Sequence, residues 1–186
     1  IRVQRSRAFK VSGMVIDSTG APLERAQINL VALAKNGSSS SAIERRGGGH
    51  FAVTAVTPGE YAVRVDVGSP YDPDDKRERE FGYAQFDVDN EDVEGIVVTT
   101  SRLPKVAGRV VFEDGVPPRG SAMRVFSGST RPLLRRMGIG DYPGAEIRSD
   151  STFELTGLPG PQFITLADQP PGWIVGAVTY KDEDVT

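Results

Sequence analysis

The chain has 186 residues, of which 38% are hydrophobic, and its 22 basic and 25 acidic residues give a net charge of −3. This balance excludes the clustered positive surface of a nucleic-acid-binding protein, and no apolar run reaches the roughly 18 residues of a membrane-spanning helix. Because cysteine is absent, disulfides, thiol catalysis and cysteine-based zinc sites are excluded as well.

The predicted elements are short β-strands, separated by turns that use many of the 21 glycines and 13 prolines. Strand-forming patterns occur at residues 10–15, 27–33, 50–55, 61–67 and 96–100. In the third and fourth of these, apolar residues recur at every second position, which is the period of a strand with one buried face. Within the third, the alternation predicts that Phe51, Val53 and Ala55 face a core.

Turns are predicted at residues 17–22 and 113–117, where an acidic side chain precedes a glycine that tolerates positive φ. Asn36-Gly37 is a third turn signal. Residues 132–137 suit a helix of one or two turns, and no longer amphipathic pattern occurs. These features predict an all-β chain.

A repeat divides the sequence into two copies. The segment Lys-Val-Ser-Gly-Met-Val at residues 10–15 returns as Lys-Val-Ala-Gly-Arg-Val at residues 105–110. Phe-Ala-Val at residues 51–53 returns as Phe-Glu-Leu at residues 153–155. Matches that recur in the same order indicate a duplicated structural unit.

The alignment of the two copies continues into the next strand. Tyr61 aligns with Phe163, after a Pro-Gly pair that is shifted by one residue. The repeat predicts two domains, residues 1–102 and residues 103–186, joined by a very short link. Each is expected to be a Greek-key β-sandwich of about seven strands.

The first copy carries five motifs in a spacing that matches a known family: Val11-Ser12-Gly13-Met14-Val15, Gly20-Ala21-Pro22-Leu23, Ala26-Gln27-Ile28-Asn29-Leu30, Gly49-His50-Phe51 and Pro58-Gly59-Glu60-Tyr61-Ala62-Val63. With these motifs it resembles the carboxypeptidase regulatory-like domains, which have a transthyretin-like (prealbumin-like) sandwich related to the immunoglobulin topology. In that family the domain is a non-catalytic accessory module. The resemblance therefore implies no enzyme activity and supplies no catalytic residues.

The second copy resembles the same family less closely. It keeps residues 106–110 and 153–155 but has Ser151-Thr152 and Pro161-Gln162-Phe163 where the family pattern differs. Residues 172–178, Gly-Trp-Ile-Val-Gly-Ala-Val, resemble a later strand of the family and are expected to form one. This copy is therefore expected to be a divergent sandwich.

The second copy has no counterpart of the closing run at residues 95–100. An absent edge strand leaves backbone donors and acceptors unpaired. Two interpretations stay open: the segment ends before that strand, or another chain supplies it.

The loop at residues 127–146 is the longest insertion in the second copy. It carries residues typical of protein interfaces, namely Arg131, Leu134, Arg135, Arg136, Met137 and Tyr142. Long loops on a rigid sandwich often contain a recognition site. Two interpretations stay open here too: these residues contact a protein partner, or the apolar ones cap the end of the sandwich.

Other residues that could take part in catalysis or crosslinking lack the partner residues that such a role requires. His50 is the only histidine and is expected to face solvent. The serines at residues 38–41 follow a turn and are not part of a Gly-x-Ser-x-Gly elbow. Lys10 and Asn90 invite comparison with the isopeptide crosslink of collagen-adhesin B-type repeats, but ordinary surface positions are the preferred interpretation of both residues.

Acidic residues gather in two groups. The first is Asp72, Asp74 and Asp75, and the second is Asp87, Asp89, Asn90, Glu91 and Asp92. Calcium needs six to eight oxygen ligands and usually a glycine that turns the loop sharply. In the second group, Asp92 occupies the position of this glycine. Two interpretations of these acidic groups stay open, namely solvated turns and a Ca²⁺ site. No other cofactor is expected.

These observations predict a non-catalytic structural, adhesive or interaction module of a bacterial protein. It is expected outside the cell, at the cell surface or in the periplasm, as a processed part of a longer protein, since the chain begins with Ile1. Its partners are expected to be proteins or neighbouring domains of the same polypeptide. One alternative is a filament subunit that assembles by strand addition of residues 1–9. Another is carbohydrate binding through Tyr71, Tyr83 and Trp173.

Overall fold

The computed structural model describes residues 6–34, 43–69, 74–116, 118, 122–139, 144–157 and 159–186. The chain forms two compact units, Ile1–Leu103 (unit 1) and Pro104–Thr186 (unit 2). Apart from one helix of five residues, the regular elements of the described residues are all strands. The all-β prediction is confirmed.

The described residues of unit 1 contain eight strands: β1 (Phe9–Ile16), β2 (Gln27–Ala32), β3 (Ile43–Arg46), β4 (His50–Val56), β5 (Gly59–Val67), β6 (Glu80–Val88), β7 (Val93–Thr99) and β8 (Ser101–Arg102). They build two sheets, ordered β3-β4-β1-β7 (sheet A) and β2-β5-β6-β8 (sheet B). Neighbouring strands are antiparallel except β1 and β7, which are parallel.

One hydrophobic core lies between the two sheets of unit 1. Sheet A contributes residues such as Val11, Phe51 and Val98, and sheet B contributes residues such as Leu30 and Val63. These side chains are at most 3% exposed, and burying each is worth roughly 1.5–3 kcal/mol. Unit 1 is therefore a two-layer β-sandwich.

A bulge in β4 interrupts the alternation that the sequence predicts there. Phe9 pairs with Val56 and Val11 pairs with Val53, so two residues of β4, Thr54 and Ala55, lie opposite the single residue Lys10 of β1. Ala55 adopts φ 61° and is exposed, and Val56 is buried in its place. The prediction that Ala55 faces the core is wrong because this extra residue changes which side of the strand faces inward.

The described residues of unit 2 contain seven strands and one helix: β9 (Lys105–Arg109), β10 (Arg124–Ser129), α1 (Pro132–Arg136), β11 (Ala145–Glu146), β12 (Thr152–Thr156), β13 (Gln162–Ala167), β14 (Thr179–Tyr180) and β15 (Glu183–Asp184). The sheets are β11-β10-β13, β12-β9 and the hairpin β14-β15. Helix α1 lies where the sequence predicts it. No helix of the described residues has the length and apolar character that crossing a membrane requires.

Equivalent residues of the repeat form equivalent strand pairs in the two units. Gly13 pairs with Phe51 between β1 and β4, and Gly108 pairs with Phe153 between β9 and β12. Both glycines follow a Lys-Val-x segment. Strands β9 and β12 are therefore the counterparts of β1 and β4 in register as well as in sequence.

The alignment of Tyr61 with Phe163 is wrong. Leu30 of β2 pairs with Val63, and its counterpart Val125 of β10 pairs with Leu166. By this register the counterpart of Tyr61 is Ile164, which packs on the core of unit 2. Phe163 is 50% exposed on the other face. The sequence alignment fails because the connection into β13 is longer than the one into β5.

The strand predicted at residues 172–178 does not form. Residues 173–178 have no regular structure, and Ile174 is 86% exposed. A β-prone sequence becomes a strand only where a neighbouring edge accepts its hydrogen bonds. In the described residues β13 pairs with β10 alone, whereas its counterpart β5 pairs with both β2 and β6.

Candidate functional site

The apolar residues predicted to form an interaction loop are buried inside unit 2. Leu134 and Met137 are 2% and 3% exposed, and the Ile139 amide donates to Leu134 O at 2.9 Å. A partner could reach these two side chains only by opening the loop. The structure therefore corrects their assignment to an interface and favours the capping interpretation for them.

The basic residues of the same loop remain accessible. Arg131 precedes α1, Arg135 and Arg136 lie in its last turn, and all three are exposed. Cations in the last turn of a helix are favourable because the carbonyl end carries partial negative charge. Tyr142 lies outside the described residues. A contact between the arginines and a partner stays a prediction.

A shallow trough of about 570 Å³ crosses the outer face of sheet A. Its lining includes the small side chains of Ser12 and Ala52, and Ala52 is 2% exposed although it points away from the core. Charged or polar side chains around them are Lys10, Arg46, His50 and Glu94. His50 is exposed, as predicted.

Lys10 is held by carboxylates at the edge of this trough. Its Nζ lies 3.7 Å from Glu94 Oε1, and its amide donates to Asp92 Oδ1 at 2.8 Å. Asn90 is exposed in the connection between β6 and β7. Lys10 thus forms an exposed ion pair with Glu94, and an isopeptide bond to Asn90 stays a prediction.

The acidic groups differ in how their carboxylates are used. Asp75 accepts hydrogen bonds from the Arg77 guanidinium at 2.6 and 2.9 Å and from the amides of Arg77 and Ser69. These bonds, led by those from the Arg77 side chain, hold the pKa of Asp75 well below its ordinary value. Asp75 therefore acts as a structural anion that binds both Ser69 and Arg77.

Metal coordination requires several carboxylate or histidine side chains to lie close together. Among the described residues, no three histidine or acidic side chains gather closely enough to hold an ion. Asp72 lies outside those residues, and Asp74 has interactions of its own. Calcium binding stays a prediction.

Glu80 joins three elements of unit 1 and was not anticipated from the sequence. Its carboxylate accepts hydrogen bonds from the Ser18 hydroxyl and amide and from the hydroxyl of Thr100, a side chain that is 1% exposed. Burial alone would raise the pKa of Glu80, but these hydrogen bonds outweigh it and hold the pKa below its ordinary value. The carboxylate thus ties the turn after β1 and the end of β7 to β6.

A second missed feature is an Asp-x-Thr motif that occurs three times. In each, one Asp oxygen accepts from the amide and the hydroxyl of the Thr two residues later, at 2.6–3.0 Å. The pairs are Asp17 with Thr19, Asp150 with Thr152 and Asp184 with Thr186. Hydrogen bonds from the Thr side chain, followed by those from backbone amides, hold the pKa of each Asp below its ordinary value. The motif could have been found from its spacing alone.

The three aromatic residues proposed for carbohydrate binding do not form a described platform. Tyr83 is half-buried in unit 1, where its ring centroid lies 5.9 Å from that of Phe81. Trp173 is half-buried in unit 2 and packs edge-on against Phe112 at 5.8 Å. Tyr71 lies outside the described residues. Carbohydrate binding stays a prediction.

The segment proposed for strand donation is shorter than the sequence suggests. Phe9 already belongs to β1 and pairs with Val56. Residues 6–8 are described without regular structure, and residues 1–5 lie outside the described part. Donation by residues 1–9 would require Phe9 to leave β1, so a donor could use at most residues 1–8.

Within the part of unit 2 that the structure describes, strand β9 has a partner on one edge only. Among the described residues it pairs with β12 and with no other strand, whereas its counterpart β1 lies between β4 and β7. Val106 and Val110 at this edge are half-buried, and Val111 is 83% exposed. This edge is the place where unit 2 departs most from unit 1.

No protein-family model matches the chain, and no curated protein matches it. Among solved structures, the chain is similar to a streptococcal ancillary pilin at 19% sequence identity and a TM-score of 0.38. The match covers 90% of this chain and 56% of the pilin chain, so the chain spans little more than half of that protein. A TM-score this low carries no conclusion on topology or function, and the resemblance to carboxypeptidase regulatory-like domains stays a prediction.

Proposed function

We propose that the chain is a structural module of a secreted or surface protein, which spaces neighbouring domains and transmits tension between them. The observation that carries this proposal is the parallel pairing of β1 with β7 in unit 1. The family resemblance, which implies a non-catalytic accessory module, supports the same class of function.

The geometry of this pair explains the mechanical role. The chain enters unit 1 at the start of β1 and leaves it through β8, which follows β7 and pairs with β6 by two residues. Strands β1 and β7 pair from Val11 with Val93 to Ile16 with Thr99. A pull on the two ends therefore loads the short β8 contact first and then slides β1 and β7 along each other, which stresses all their hydrogen bonds together. Antiparallel terminal strands that meet at one end would instead separate one bond at a time.

The connection between the units favours the same role. The Leu103 amide donates to Arg79 O in unit 1, and Pro104 O accepts from the Gly157 amide in unit 2. Consecutive residues are thus anchored in different units, with no free linker between them. Tension reaches the first strand of unit 2 without first extending a slack segment.

Force spectroscopy on the whole chain between reference domains tests the proposal. Ser12→Pro removes an amide on the β7 side of β1, because amides alternate along a strand and Val15 donates on the β4 side, to Gly49 O. We expect a clear fall in the force at which unit 1 unfolds.

The matched control is Leu30→Ala in sheet B, which removes core packing and leaves the β1–β7 pair intact. Both variants are first compared by thermal melting. If the unfolding force followed melting stability alone, with no extra loss in Ser12→Pro, the mechanical proposal would be wrong.

A further inference from the structure

We propose that Glu80 is a mechanical latch of unit 1. Its carboxylate, which belongs to sheet B, holds together the two strands of sheet A that tension would slide apart, and its hold weakens when it is protonated. This inference rests on the mechanical function proposed above and deepens it by adding a regulation by pH.

The first argument is the position of Glu80 at the exit of the chain from unit 1. After β7 the chain crosses from sheet A to sheet B, where the two residues of β8 pair with the first two residues of β6. Because this contact is so short, tension opens it first. The next residue that the tension reaches is Thr100, whose hydroxyl donates a hydrogen bond to Glu80.

The second argument is that both sliding strands are bound by the same carboxylate. Ser18, which follows β1, donates from its hydroxyl to Glu80 Oε1 at 2.5 Å and from its amide to Glu80 Oε2 at 3.1 Å. Thr100, which follows β7, donates to Oε2 as well. Because β1 and β7 are parallel, these contacts lie at the same end of the pair. Tension pulls Ser18 towards the start of β1 and Thr100 away from it, so Glu80 resists both movements at once.

The third argument is that Glu80 is itself firmly held. It begins β6, which pairs with β5 along its whole length, and the last of these pairs is Val67 with Glu80. Strand β5 contributes Val63 and Val65, which are 0% exposed, to the core of unit 1. Load on the carboxylate is therefore passed to a long strand pair that is anchored in the core.

Sheet B also approaches the exit segment closely. A Cβ on Gly82 of β6 would lie only 2.5 Å from Thr99 O and 3.0 Å from Thr100 Cα, so the segment can pass here only because residue 82 is glycine. The Thr100 side chain is 1% exposed. Hydrogen bonds that are shielded from water in this way are stronger than exposed ones.

The charge of Glu80 determines how strongly it holds the two strands. An ionised carboxylate accepts hydrogen bonds at both oxygens, and such charge-assisted bonds are roughly twice as strong as neutral ones. Burial raises the pKa of Glu80, but the hydrogen bonds from Ser18 and Thr100 outweigh it and hold the pKa below its ordinary value. The latch is therefore closed at neutral pH and weakens as the pH falls through the lowered pKa.

The residues that face Glu80 from neighbouring elements leave this direction unchanged. Asp17, in the turn after β1, acts to raise the pKa of Glu80, and the hydrogen bonds prevail over it too. Arg102 lies opposite Glu80 in β8, but its guanidinium pairs with Glu78 at 3.3 Å. From β5 the facing residue is the apolar Val67.

Unfolding of the whole chain at constant force, pulled from its two ends between reference domains, tests the latch. Glu80→Gln keeps the size of the side chain and removes its charge. At neutral pH we expect unit 1 of this variant to unfold at least about tenfold faster than the wild type at the same force. Thr100→Val, which removes the hydroxyl and keeps the shape, should share this effect, whereas Leu30→Ala sets the baseline for a loss of stability elsewhere in the core.

A second pulling direction separates a latch from a general loss of stability. Because the chain has no cysteine, Ser6→Cys and Glu91→Cys supply two unique attachment points beside the starts of β1 and β7. Tension between these points separates the strands from their starts and does not load Glu80 first. In this direction Glu80→Gln should accelerate unfolding only as far as its melting stability accounts for.

The pH dependence is measured with the chain pulled from its ends. The difference in unfolding rate between the wild type and Glu80→Gln should shrink as the pH is lowered through the pKa of Glu80. Equal acceleration by Glu80→Gln in both pulling directions would overturn the latch, as would a rate difference that stays constant on acidification.

The two proposals fail in different ways. If Ser12→Pro lowers the unfolding force but Glu80→Gln follows its melting stability when pulled from the ends, the latch is wrong and the mechanical function stands. If Ser12→Pro also follows its melting stability, the mechanical function is wrong and the latch falls with it.

Discussion

Tyr61 holds the corner between β4 and β5 through its hydroxyl. The hydroxyl donates to Thr57 O at 2.9 Å, and the ring stacks on Phe86 with centroids 6.1 Å apart. Tyr61→Phe keeps the buried ring and removes the hydrogen bond. We expect the free energy of unfolding of unit 1 to fall by about 0.5–1.5 kcal/mol, as measured by urea denaturation.

Tyr83→Phe is the control for this change. Tyr83 is half-buried in the same sheet, and no hydrogen bond of its hydroxyl is recorded within the described residues. Its substitution should change the stability by less than about 0.5 kcal/mol. An equal loss in both variants would contradict the role assigned to the Tyr61 hydroxyl.

Glu80 makes the stability of unit 1 depend on pH. In the unfolded chain its pKa is near 4.5, and in the folded chain hydrogen bonds from Ser18 and Thr100 hold it lower. Ionised Glu80 therefore contributes stability that is fully present above pH 4.5 and is lost as the pH falls through the folded pKa. Glu80→Gln should be less stable than the wild type at neutral pH, and this difference should shrink on acidification.

Urea denaturation of both chains over a range of pH measures that difference. Asp17, whose pKa is also lowered, is present in both chains, and its negative charge acts to raise the pKa of Glu80. A difference that grows as the pH falls would have the wrong sign for a carboxylate with a lowered pKa.

At the scale of single elements, the hairpin β14–β15 turns through two strained residues. Lys181 and Asp182 have φ 52° and 65°, the left-handed region that costs a side chain about 1 kcal/mol. Asp182→Gly should relieve this cost and stabilise the hairpin. The amide of Val185, which donates to Val178 O at 2.8 Å, should exchange more slowly with deuterium.

The opposite change supplies the control. Asp182→Val places a β-branched side chain in the left-handed region, and the Val185 amide should then exchange faster. If both substitutions changed exchange in the same direction, backbone strain could not be the reason.

Strand-forming patterns in the sequence were enough to predict β1 and β5, and alternation predicted that one face of β5 is buried. It could not predict the bulge at Ala55, because the extra residue is visible only when β4 is paired with β1. The sequence pattern also predicted a strand at residues 172–178 that does not form, because these β-prone residues have no neighbouring strand edge with which to pair. Strand propensity was therefore local information, whereas pairing and register were not.

The candidate site was predicted less well than the fold for the same reason. The trough on sheet A combines Lys10, His50 and Glu94 from three strands, and only the register brings them together. In the loop of unit 2, Leu134 and Met137 look like interface residues in composition but are buried beside α1. Composition indicated which residues could bind a partner, and packing decided which are available.

At the scale of the whole molecule, the two units differ in how completely they cover their apolar residues. Unit 1 has a core that both four-stranded sheets enclose. Of the large hydrophobic side chains that are exposed in the described part of the chain, Val97 is in unit 1 and the others are in unit 2: Val111, Val116, Phe163, Ile174, Val175, Tyr180 and Val185. Unit 2 is therefore expected to be the less stable of the two.

Unfolding of the intact chain in urea should show this difference. Trp173 is the only tryptophan and packs on Phe112 in unit 2, so its fluorescence reports that unit, whereas circular dichroism reports both. We expect the fluorescence midpoint at a lower urea concentration than the final circular-dichroism transition. Coincident midpoints would mean that the units unfold as one, against the division of cores seen here.

The same substitution in each unit assigns the two transitions. Leu155 of β12 and Leu30 of β2 are 2% and 3% exposed, and Leu→Ala at such sites costs about 2–5 kcal/mol. Leu155→Ala should lower the fluorescence midpoint and leave the later transition unchanged, because the residue belongs to the core of unit 2. Leu30→Ala should do the reverse. If Leu30→Ala shifted the fluorescence midpoint as well, unit 2 would depend on unit 1 for its stability, and the two units could not act as separate elements under tension.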